Sequence, residues 1–367
     1  MTSYLVIGAG LFGATVAHEL RKAGRPVTVV EKKSHLAGMA YTECVYNIHV
    51  HKYGAHIFRT DDKAIWDYVN SFVDFKPYVH SPIAVYDNEV YNLPFNMNTF
   101  NKMWGVIKPE EAEEKIKSQI IPCDAPKNLE EYALSVVGVD IYEKLIKGYT
   151  EKQWGVSCTE LPVSVMKRIP VRLTYDNNYS DNKPYQGIPI DGYTALVESM
   201  LAGIYTVCNK DGLSLLKDTD SSCRVIYTGS VDDLFGGDEG YLGYRSLTFQ
   251  ELPLIGVENY QGVSVVNYTS LSIPYTRIIE HKHFLGNKSS NTVITIEHPE
   301  KYVYGYERYY PLADERNLSL YKKYVKRLKE EYPNVILGGR LGSYQYTDME
   351  DSIKNALKLS KRLLLDD

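Results

Sequence analysis

The chain has 367 residues, of which 44% are hydrophobic and 24% charged, and these are the proportions of a globular protein. At roughly 100–200 residues per domain, this length predicts two or three lobes and excludes a minimal peptide-binding module. The 41 basic and 46 acidic residues give a net charge of −5, so no overall positive field attracts nucleic acid or an anionic membrane. Any binding of phosphate must come from a local arrangement of residues.

The sequence also argues against membrane insertion and against a metal site. No apolar run approaches the roughly 20 residues that cross a bilayer, and the start, MTSYLVIGAG, lacks the basic segment of a signal peptide. The five cysteines are scattered without any C-x-x-C spacing, which is not the pattern of a disulfide framework or a zinc site. We therefore expect a soluble, cytoplasmic protein without a bound metal.

The first forty residues have the pattern of a β-α-β unit. Residues 4–7 predict a buried strand, residues 14–23 a helix that Gly24 ends, and residues 27–30 a second strand. The N-terminus of such a helix offers unpaired N–H groups and the positive end of a dipole, and both favour phosphate. This order of elements predicts a dinucleotide-binding fold.

The glycines between the first strand and the helix have separate roles in such a fold. Gly8 makes the tight turn, Gly10 lets the backbone approach a pyrophosphate, and Gly13 allows close packing of the helix on the strand. Glu31 follows the second strand, at the place where an acidic residue binds the adenosine ribose. Together these residues predict a cofactor that contains ADP.

The rest of the chain changes in character along its length. Residues 61–72, 109–121 and 128–148 have helical patterns and indicate a separate lobe. Residues 160–195 are rich in Pro, Asn, Asp and Tyr, which is typical of a long functional loop. Residues 241–310 alternate between apolar and polar residues and predict an antiparallel sheet.

Late segments return to the nucleotide-binding fold. Residues 224–229 and 334–339 read as strands that enter glycine turns, and the spacing of apolar residues over 349–363 predicts an amphipathic helix. Flavin domains draw on a late strand and helix more often than NAD-dependent dehydrogenases do, so this pattern favours FAD. We predict an α/β fold with a Rossmann-like FAD-binding domain at 1–75, 195–240 and 325–367, a helical domain at 76–160, and an antiparallel-sheet domain at 161–194 and 241–324 with a mobile loop at about 164–187.

Short segments spread over nearly the whole chain resemble those of bacterial UDP-galactopyranose mutases. They are GAGLFGA, YGAHIF, IKGYTEKQWG, ELPVSVMKRIPVR, YQGIP, GYRSL, PYTRIIEHKHF, YYP and GRLGSYQYTDM. The resemblance implies an FAD enzyme with a nucleotide-binding lobe, a helical lobe and a six-stranded antiparallel sheet.

The resemblance also implies an activity, the interconversion of UDP-galactopyranose and UDP-galactofuranose in the supply of cell-surface polysaccharides. In the family, N5 of the reduced flavin attacks C1 of the sugar and displaces UDP, and the ring recloses from a covalent flavin–sugar intermediate. The chain has neither a G-x-S-x-G nor an H-E-x-x-H segment, so a protein nucleophile or a catalytic metal is not indicated.

Two arginines in matching segments suit the departing diphosphate. They are Arg172 in IPVR and Arg277 in PYTR, and a planar guanidinium binds phosphate oxygens through two donors at once. The resemblance assigns substrate-binding roles to six further residues, of which two meet the phosphates, one lies on the lid and three bind uridine: Tyr310, Tyr346, Tyr185, Tyr149, Trp154 and Asn267. Tyr149 is expected to stack on uracil, and a core position without ligand contact is the alternative for Trp154.

Nine positions match the cofactor site of the family. They are Gly8, Gly10, Gly13, Glu31, Gly38, Thr228, Arg340, Asp348 and Met349. The resemblance places His56, in YGAHIF, near the flavin ring as a third catalytic residue beside Arg172 and Arg277. A core histidine is the alternative interpretation of His56.

Three positions depart from the family. Ala37-Gly38-Met39 stands where the family has Gly-Gly-Asn, so Ala37 is strained if the backbone there needs a positive φ. Arg59 replaces a histidine and His80 an asparagine of the sugar pocket. A long donor such as Arg59 can reach the carbonyl of an acetamido group, so UDP-N-acetylgalactosamine is a second predicted substrate, alone or with UDP-galactose. For His80, a tolerated change in a solvent-facing loop is the alternative.

Two other functions stay open at this point. A flavin oxidoreductase related to amine oxidases would share the glycine-rich unit but consume an electron acceptor. A non-catalytic flavoprotein that binds nucleotide sugars is favoured if Ala37 prevents productive placement of the flavin. A homodimer is also left open.

Overall fold

The computed structural model describes residues 2–165, 171–180, 182–220 and 222–366. The strands are β1 Tyr4–Ile7, β2 Val27–Val30, β3 Thr42–Val45, β4 Ile48–His51, β5 Phe58–Thr60, β6 Phe75–Pro77, β7 Ile83–Tyr86, β8 Glu89–Asn92, β9 Tyr185–Pro189, β10 Tyr205–Val207, β11 Arg224–Tyr227, β12 Tyr244–Leu254, β13 Val265–Tyr268, β14 Arg277–Glu280, β15 Thr292–Lys301, β16 Tyr310–Pro311 and β17 Val335–Leu337.

The helices follow the same order along the chain. They are α1 Leu11–Lys22, α2 Lys63–Asn70, α3 Met97–Trp104, α4 Pro109–Gln119, α5 Leu129–Val136, α6 Val139–Ile141, α7 Gly148–Trp154, α8 Gly192–Met200, α9 Val231–Leu234, α10 Lys282–Leu285, α11 Glu315–Glu331, α12 Gly339–Gly342 and α13 Met349–Asp366. A π-helical turn, Tyr142–Lys147, joins α6 to α7.

A five-stranded parallel sheet, in the order β10-β2-β1-β11-β17, forms the nucleotide-binding part. Successive side chains of a strand point to opposite faces. Tyr4 and Val6 therefore pack with α1, α8 and α13 on one face, while Leu5 and Ile7 pack with residues of β11 and α11 on the other. Because both faces are covered, the strands read as continuous apolar runs.

A seven-stranded sheet, in the order β16-β12-β15-β14-β13-β7-β8, is antiparallel apart from the β13–β7 pair. The resemblance implied six strands, whereas the sheet has seven, of which β7 and β8 form a hairpin at one edge. Its turn, Asp87-Asn88, has φ values of 45° and 68°, the left-handed pair of a two-residue hairpin. The hairpin lies inside 76–160, the range predicted as helical, and the domain boundaries otherwise stay a prediction.

The helical lobe packs around its own apolar cluster. Phe95, Phe100, Ile141 and Leu145 are among its buried members, contributed by the segments from α3 to the π-helical turn. The predicted helix at 61–72 is α2, but Ile65 and Val69 bury against the nucleotide-binding part instead of this lobe. The α/β prediction is confirmed, and α2 packs with the nucleotide-binding part, inside the range 1–75 given to that domain above.

The first turn of α1 lies directly on the loop that follows β1. A Cβ atom on Gly13 would lie 2.0 Å from the carbonyl oxygen of Gly8, far inside van der Waals contact with backbone. Gly13 therefore sets how closely α1 approaches the sheet, as the sequence predicted.

We expect Gly13→Ala to lower the free energy of unfolding by about 3 kcal/mol, because backbone must move to admit the methyl group. Urea denaturation followed by intrinsic fluorescence measures the change. Gly203→Ala is the control, since Gly203 has a φ of 75° but open space around it, and should cost only about 1 kcal/mol. Equal losses in the two variants would contradict the close-packing argument.

Ala37, which stands where the family has glycine, adopts a backbone conformation with positive φ. Its φ of 70° and ψ of 0° are left-handed, and its N–H donates to Ala9 O at 2.9 Å. A Cβ atom in this region costs about 1–2 kcal/mol, so the predicted strain is present in the backbone.

Ala37→Gly should raise the free energy of unfolding by about 1 kcal/mol, because it removes the Cβ from a left-handed residue. The same substitution at Ala17, in the middle of α1, should lower it by about 1 kcal/mol, since glycine disfavours a helix. Opposite shifts of the urea midpoint are the expected result. A loss of stability in Ala37→Gly would exclude the strain.

Candidate active site

A cavity of about 720 Å³ opens at the carboxyl end of the parallel sheet, where doubly wound sheets bind their ligands. Residues that directly follow β1, β2 and β11 line it. The lining also includes all nine residues predicted to bind the cofactor: Gly8, Gly10, Gly13, Glu31, Gly38, Thr228, Arg340, Asp348 and Met349. His56 lines the same cavity.

Glu31 lines this cavity and can accept hydrogen bonds from the hydroxyl groups of a polyol. Its carboxylate is 6% exposed and accepts hydrogen bonds from Ala9 N at 2.7 Å and from Lys33 N at 2.8 Å. An ionised carboxylate has about four acceptor sites, so capacity remains after these two bonds. The residue therefore fits the ribose of an adenosine cofactor.

Arg277 stands at the centre of the large sheet and is held by the strand beside it. Arg277 on β14 lies opposite Glu297 on β15, and Nε and Nη2 donate to the two carboxylate oxygens at 3.0 and 2.6 Å. Glu297 is fully buried. Burial disfavours the charged guanidinium, but the carboxylate outweighs it and raises the pKa of Arg277 well above its ordinary value. Nη1 takes no part in this pair.

Two histidines beside Arg277 are neutral at physiological pH. Burial, together with the charges of Arg340 and Arg277, lowers the pKa of His56 to about 4. Burial, with Arg59 and Arg277, lowers that of His80 to about 3. His56 Nδ1 donates to Gly54 O at 2.7 Å, because a carbonyl only accepts, so its Nε2 is the unprotonated nitrogen.

Several phenols surround the same arginine. Burial raises the pKa of Tyr149 to about 12 and raises that of Tyr310 further, and both interact with the charges of Arg277 and Glu297. The rings of Tyr310 and Tyr346 are 5.8 Å apart, and the Arg340 guanidinium lies 5.3 Å from the Tyr346 ring centre. The hydroxyls of Tyr149 and Tyr310 are therefore protonated donors at neutral pH, and Arg340 links the Tyr346 ring to the cofactor cavity.

The predicted mobile loop at 164–187 is described only in part, because residues 166–170 and 181 lie outside the described chain. Within it, the Arg172 guanidinium donates to Asn178 O and to Tyr179 O, the latter at 3.3 Å. Arg59 on β5 donates to Ser180 Oγ at 2.7 Å. Arg172, which was predicted for the loop, and Arg59, which departs from the family, therefore both contact residues 178–180.

Tyr185 was expected on the lid, and the structure corrects this placement. It lies in β9, where its neighbour Gln186 faces the loop and donates to Ser180 O at 3.0 Å. Alternation in a strand turns Tyr185 to the opposite face, where its ring stacks on Trp66 at 6.0 Å.

Tyr179, in the loop, is a phenol that lies close to three arginines. Its pKa is raised by burial and lowered by the charges of Arg59, Arg277 and Arg172, and its ring lies 5.7 Å from that of His80. The sequence interpretation missed Tyr179 because it took the lid phenol from the YQGIP segment. The available signal was the second tyrosine of YDNNY, seven residues after Arg172.

Asn267 and Trp154, which were expected at the uridine site with Tyr149, have different surroundings. Asn267 on β13 is paired with Arg277, and its buried Oδ1 has no hydrogen-bond partner in the described part of the chain. A buried acceptor without a partner is costly and fits a ligand donor such as the N3–H of uracil. Trp154 is half-buried against the core of the helical lobe, which agrees with its alternative interpretation as a core residue.

Two negative findings apply to the described ranges only. Residues 2–165, 171–180, 182–220 and 222–366 contain no group of three His, Cys, Asp or Glu side chains arranged to hold a metal ion. None of the helices in these ranges is long and apolar enough to span a bilayer.

Comparison of the sequence with known proteins identifies two families and several relatives. The model of the UDP-galactopyranose mutase family matches residues 144–346, and that of NAD(P)-binding Rossmann-like domains matches residues 6–72. A probable UDP-galactopyranose mutase of Klebsiella pneumoniae is 36% identical over 98% of this chain and 94% of its own. A dTDP-fucopyranose mutase of Escherichia coli is 35% identical over 98% of both.

A solved structure, that of a reduced UDP-galactopyranose mutase, has the same fold. Its TM-score is 0.74 at 14% identity, with 100% of this chain and 94% of that chain covered. These matches confirm three predictions, namely the family, an isomerase of the mutase type and FAD as the cofactor. The chain belongs to the UDP-galactopyranose mutase family.

Proposed function

We propose that this protein interconverts UDP-galactopyranose and UDP-galactofuranose with reduced FAD. The observation that carries the proposal is the position of Arg277, fixed by Glu297 and surrounded by protonated phenols, next to the residues that line the dinucleotide cavity. When bound, reduced flavin supplies the electron-rich nitrogen for attack on C1 of the sugar. The reaction is an isomerisation, so no electron acceptor is consumed.

The protein's task at the leaving group is to hold the diphosphate while its bond to C1 is broken and reformed. Nη1 of Arg277 offers two donors that the Glu297 pair leaves unused. Tyr149 and Tyr310 stay protonated at neutral pH, so they offer hydroxyl donors without adding charge. Such donors, fixed before the reaction, stabilise the negative charge that develops on the diphosphate.

His56 contributes a hydrogen-bond acceptor and a backbone segment that is held in place. His56 is neutral with Nε2 unprotonated, so it presents a hydrogen-bond acceptor at the cavity wall. Tyr193 donates its hydroxyl to His56 O at 3.1 Å, and His56 N donates to His51 Nδ1 at 3.1 Å. These bonds fix the segment against which the flavin ring is expected to lie. The flavin chemistry, a homodimer and a cytoplasmic location stay predictions.

The direct test is incubation of dithionite-reduced protein, with its FAD content measured, with UDP-galactopyranose. Chromatography separates the pyranose and furanose forms, and we expect both at equilibrium. A yellow protein that forms no furanose would support a non-catalytic flavoprotein. Turnover that depends stoichiometrically on an electron acceptor would support an oxidoreductase.

Arg277→Lys should lower kcat by about 100-fold, since lysine keeps the charge but loses the two-point attachment to Glu297 and the fixed donors to phosphate. Arg327→Lys is the matched control, because Arg327 pairs with Asp238 and Glu331 on the surface and should leave kcat unchanged. Both variants should retain FAD. A kcat for Arg277→Lys equal to that of the control would remove Arg277 from the reaction.

For the sugar, we propose that UDP-N-acetylgalactosamine is also a substrate. Arg59 donates to Ser180 Oγ of the loop, and its charge acts on half-buried His80. The charge of Arg277 acts on the same histidine, so the two guanidinium groups lie in one site. A donor there can bind the acetamido carbonyl. The dTDP-fucopyranose mutase is nearly as similar to this chain as the Klebsiella pneumoniae relative is, so dTDP-fucopyranose is a third substrate to assay.

Arg59→His should lower the ratio of kcat/KM for the N-acetylated donor over UDP-galactose by about tenfold. Ser180→Ala is the control, since it removes the hydroxyl that Arg59 contacts but keeps the guanidinium. If the two variants change the ratio equally, Arg59 positions the loop and does not recognise the sugar.

A further inference from the structure

The ammonium of Lys152, on α7, is enclosed by carbonyl oxygens of one loop. It donates to Tyr268 O at 2.8 Å, Ser270 O at 2.9 Å, Ile273 O at 3.0 Å and Tyr275 O at 2.9 Å. None of these four bonds goes to a carboxylate. Three N–H donors are thus shared among four acceptors, and the charge is balanced by main-chain dipoles.

This contact joins the elements that carry the proposed nucleotide site. Lys152 lies on the same short helix as Tyr149 and Trp154, while the loop connects β13, which carries Asn267, to β14, which begins at Arg277. The lysine therefore sets the spacing between the two sides of the site.

Two further contacts show that this spacing is tight. A Cβ atom on Gly148, the first residue of α7, would lie 2.2 Å from Thr269 O, so the helix backbone rests directly on the loop. On the other side, Arg245 of β12 donates to Gln153 O at 2.9 Å and to Lys152 O at 3.3 Å. The helix is fixed to the sheet through its backbone and to the loop through Lys152.

We propose that Lys152 is a positioning residue for the nucleotide, which holds Tyr149 at the correct distance from Asn267 and Arg277 by binding four carbonyls of the 269–276 loop and its borders. The inference rests on the proposed function, because it assumes that these three residues bind the UDP part of the substrate. Lys152 itself touches no substrate in this account.

The proposal has a pH signature. Burial lowers the pKa of Lys152 to about 8, so the enclosed group loses its charge as the pH rises through that value. A neutral amine has two donors for four carbonyls, and the spacing should relax. The charged or titratable groups on the elements packed around it include Arg245, Tyr268, Tyr275, Arg277, His298, Tyr149 and Glu151.

The first experiment measures UDP binding to the FAD-containing protein by calorimetry at pH 7. Lys152→Met should weaken UDP binding by about tenfold and leave FAD content unchanged, since displaced contact groups lose affinity without touching the cofactor. Lys147→Met is the matched control, because Lys147 pairs with Glu143 on the surface one turn earlier. Equal affinity in Lys152→Met and wild type would overturn the proposal.

The second experiment compares wild-type protein with one conservative variant. Wild-type affinity for UDP should fall as the pH rises from 7 to 9, and Lys152→Arg, which keeps its charge throughout, should show a smaller fall. Ionisation of uracil affects both proteins equally, so the difference between the profiles reports on Lys152. Parallel profiles would contradict the inference alone, whereas wild-type protein that binds no UDP at pH 7 would overturn the proposed function and this inference together.

Discussion

The bidentate pair of Arg277 and Glu297 is the interaction around which the site is arranged. A guanidinium inside a protein is unfavourable unless it is paired and hydrogen-bonded. Here the partner is supplied across adjacent central strands, so the position of the charge is set by sheet register and not by the side chain alone. Thr276 adds a hydroxyl contact to the same carboxylate at 3.2 Å. Glu297 thus keeps Arg277 both charged and immobile.

Two histidines and two tyrosines near this pair differ from it in being uncharged. The pKa values of His56 and His80 are lowered and those of Tyr149 and Tyr310 are raised, all with burial as the first cause. Their protonation therefore does not change over the physiological range. The site offers fixed donors and acceptors around a few arginines, and this suits a reaction in which the cofactor carries the covalent chemistry.

The sequence predicted the parts of the molecule that are formed by contiguous residues. The first strand, the glycine-rich turn, the helix and the second strand form as predicted, and Glu31 follows β2, because these elements succeed one another within forty residues. Three features were not predicted: the addition of the β7–β8 hairpin to the sheet, the facing of Tyr185 and the place of Tyr179. Each depends on a contact between residues far apart in the sequence, namely β7 with β13, β9 with β5, and Tyr179 N with His80 O. The carbonyls around Lys152 could not be foreseen, since main-chain oxygens have no sequence signature.

The parallel sheet has a consequence for how the protein is made. Its central strand, β1, begins at Tyr4, but its partner β11 begins at Arg224 and the edge strand β17 at Val335. Arg340 and Met349, on the cavity wall, come later still. During synthesis, the N-terminal glycine turn must wait for nearly the entire polypeptide to leave the ribosome before its cavity exists. The cavity is therefore incomplete in any product that stops before Arg340 and Met349, and such a product would emerge colourless.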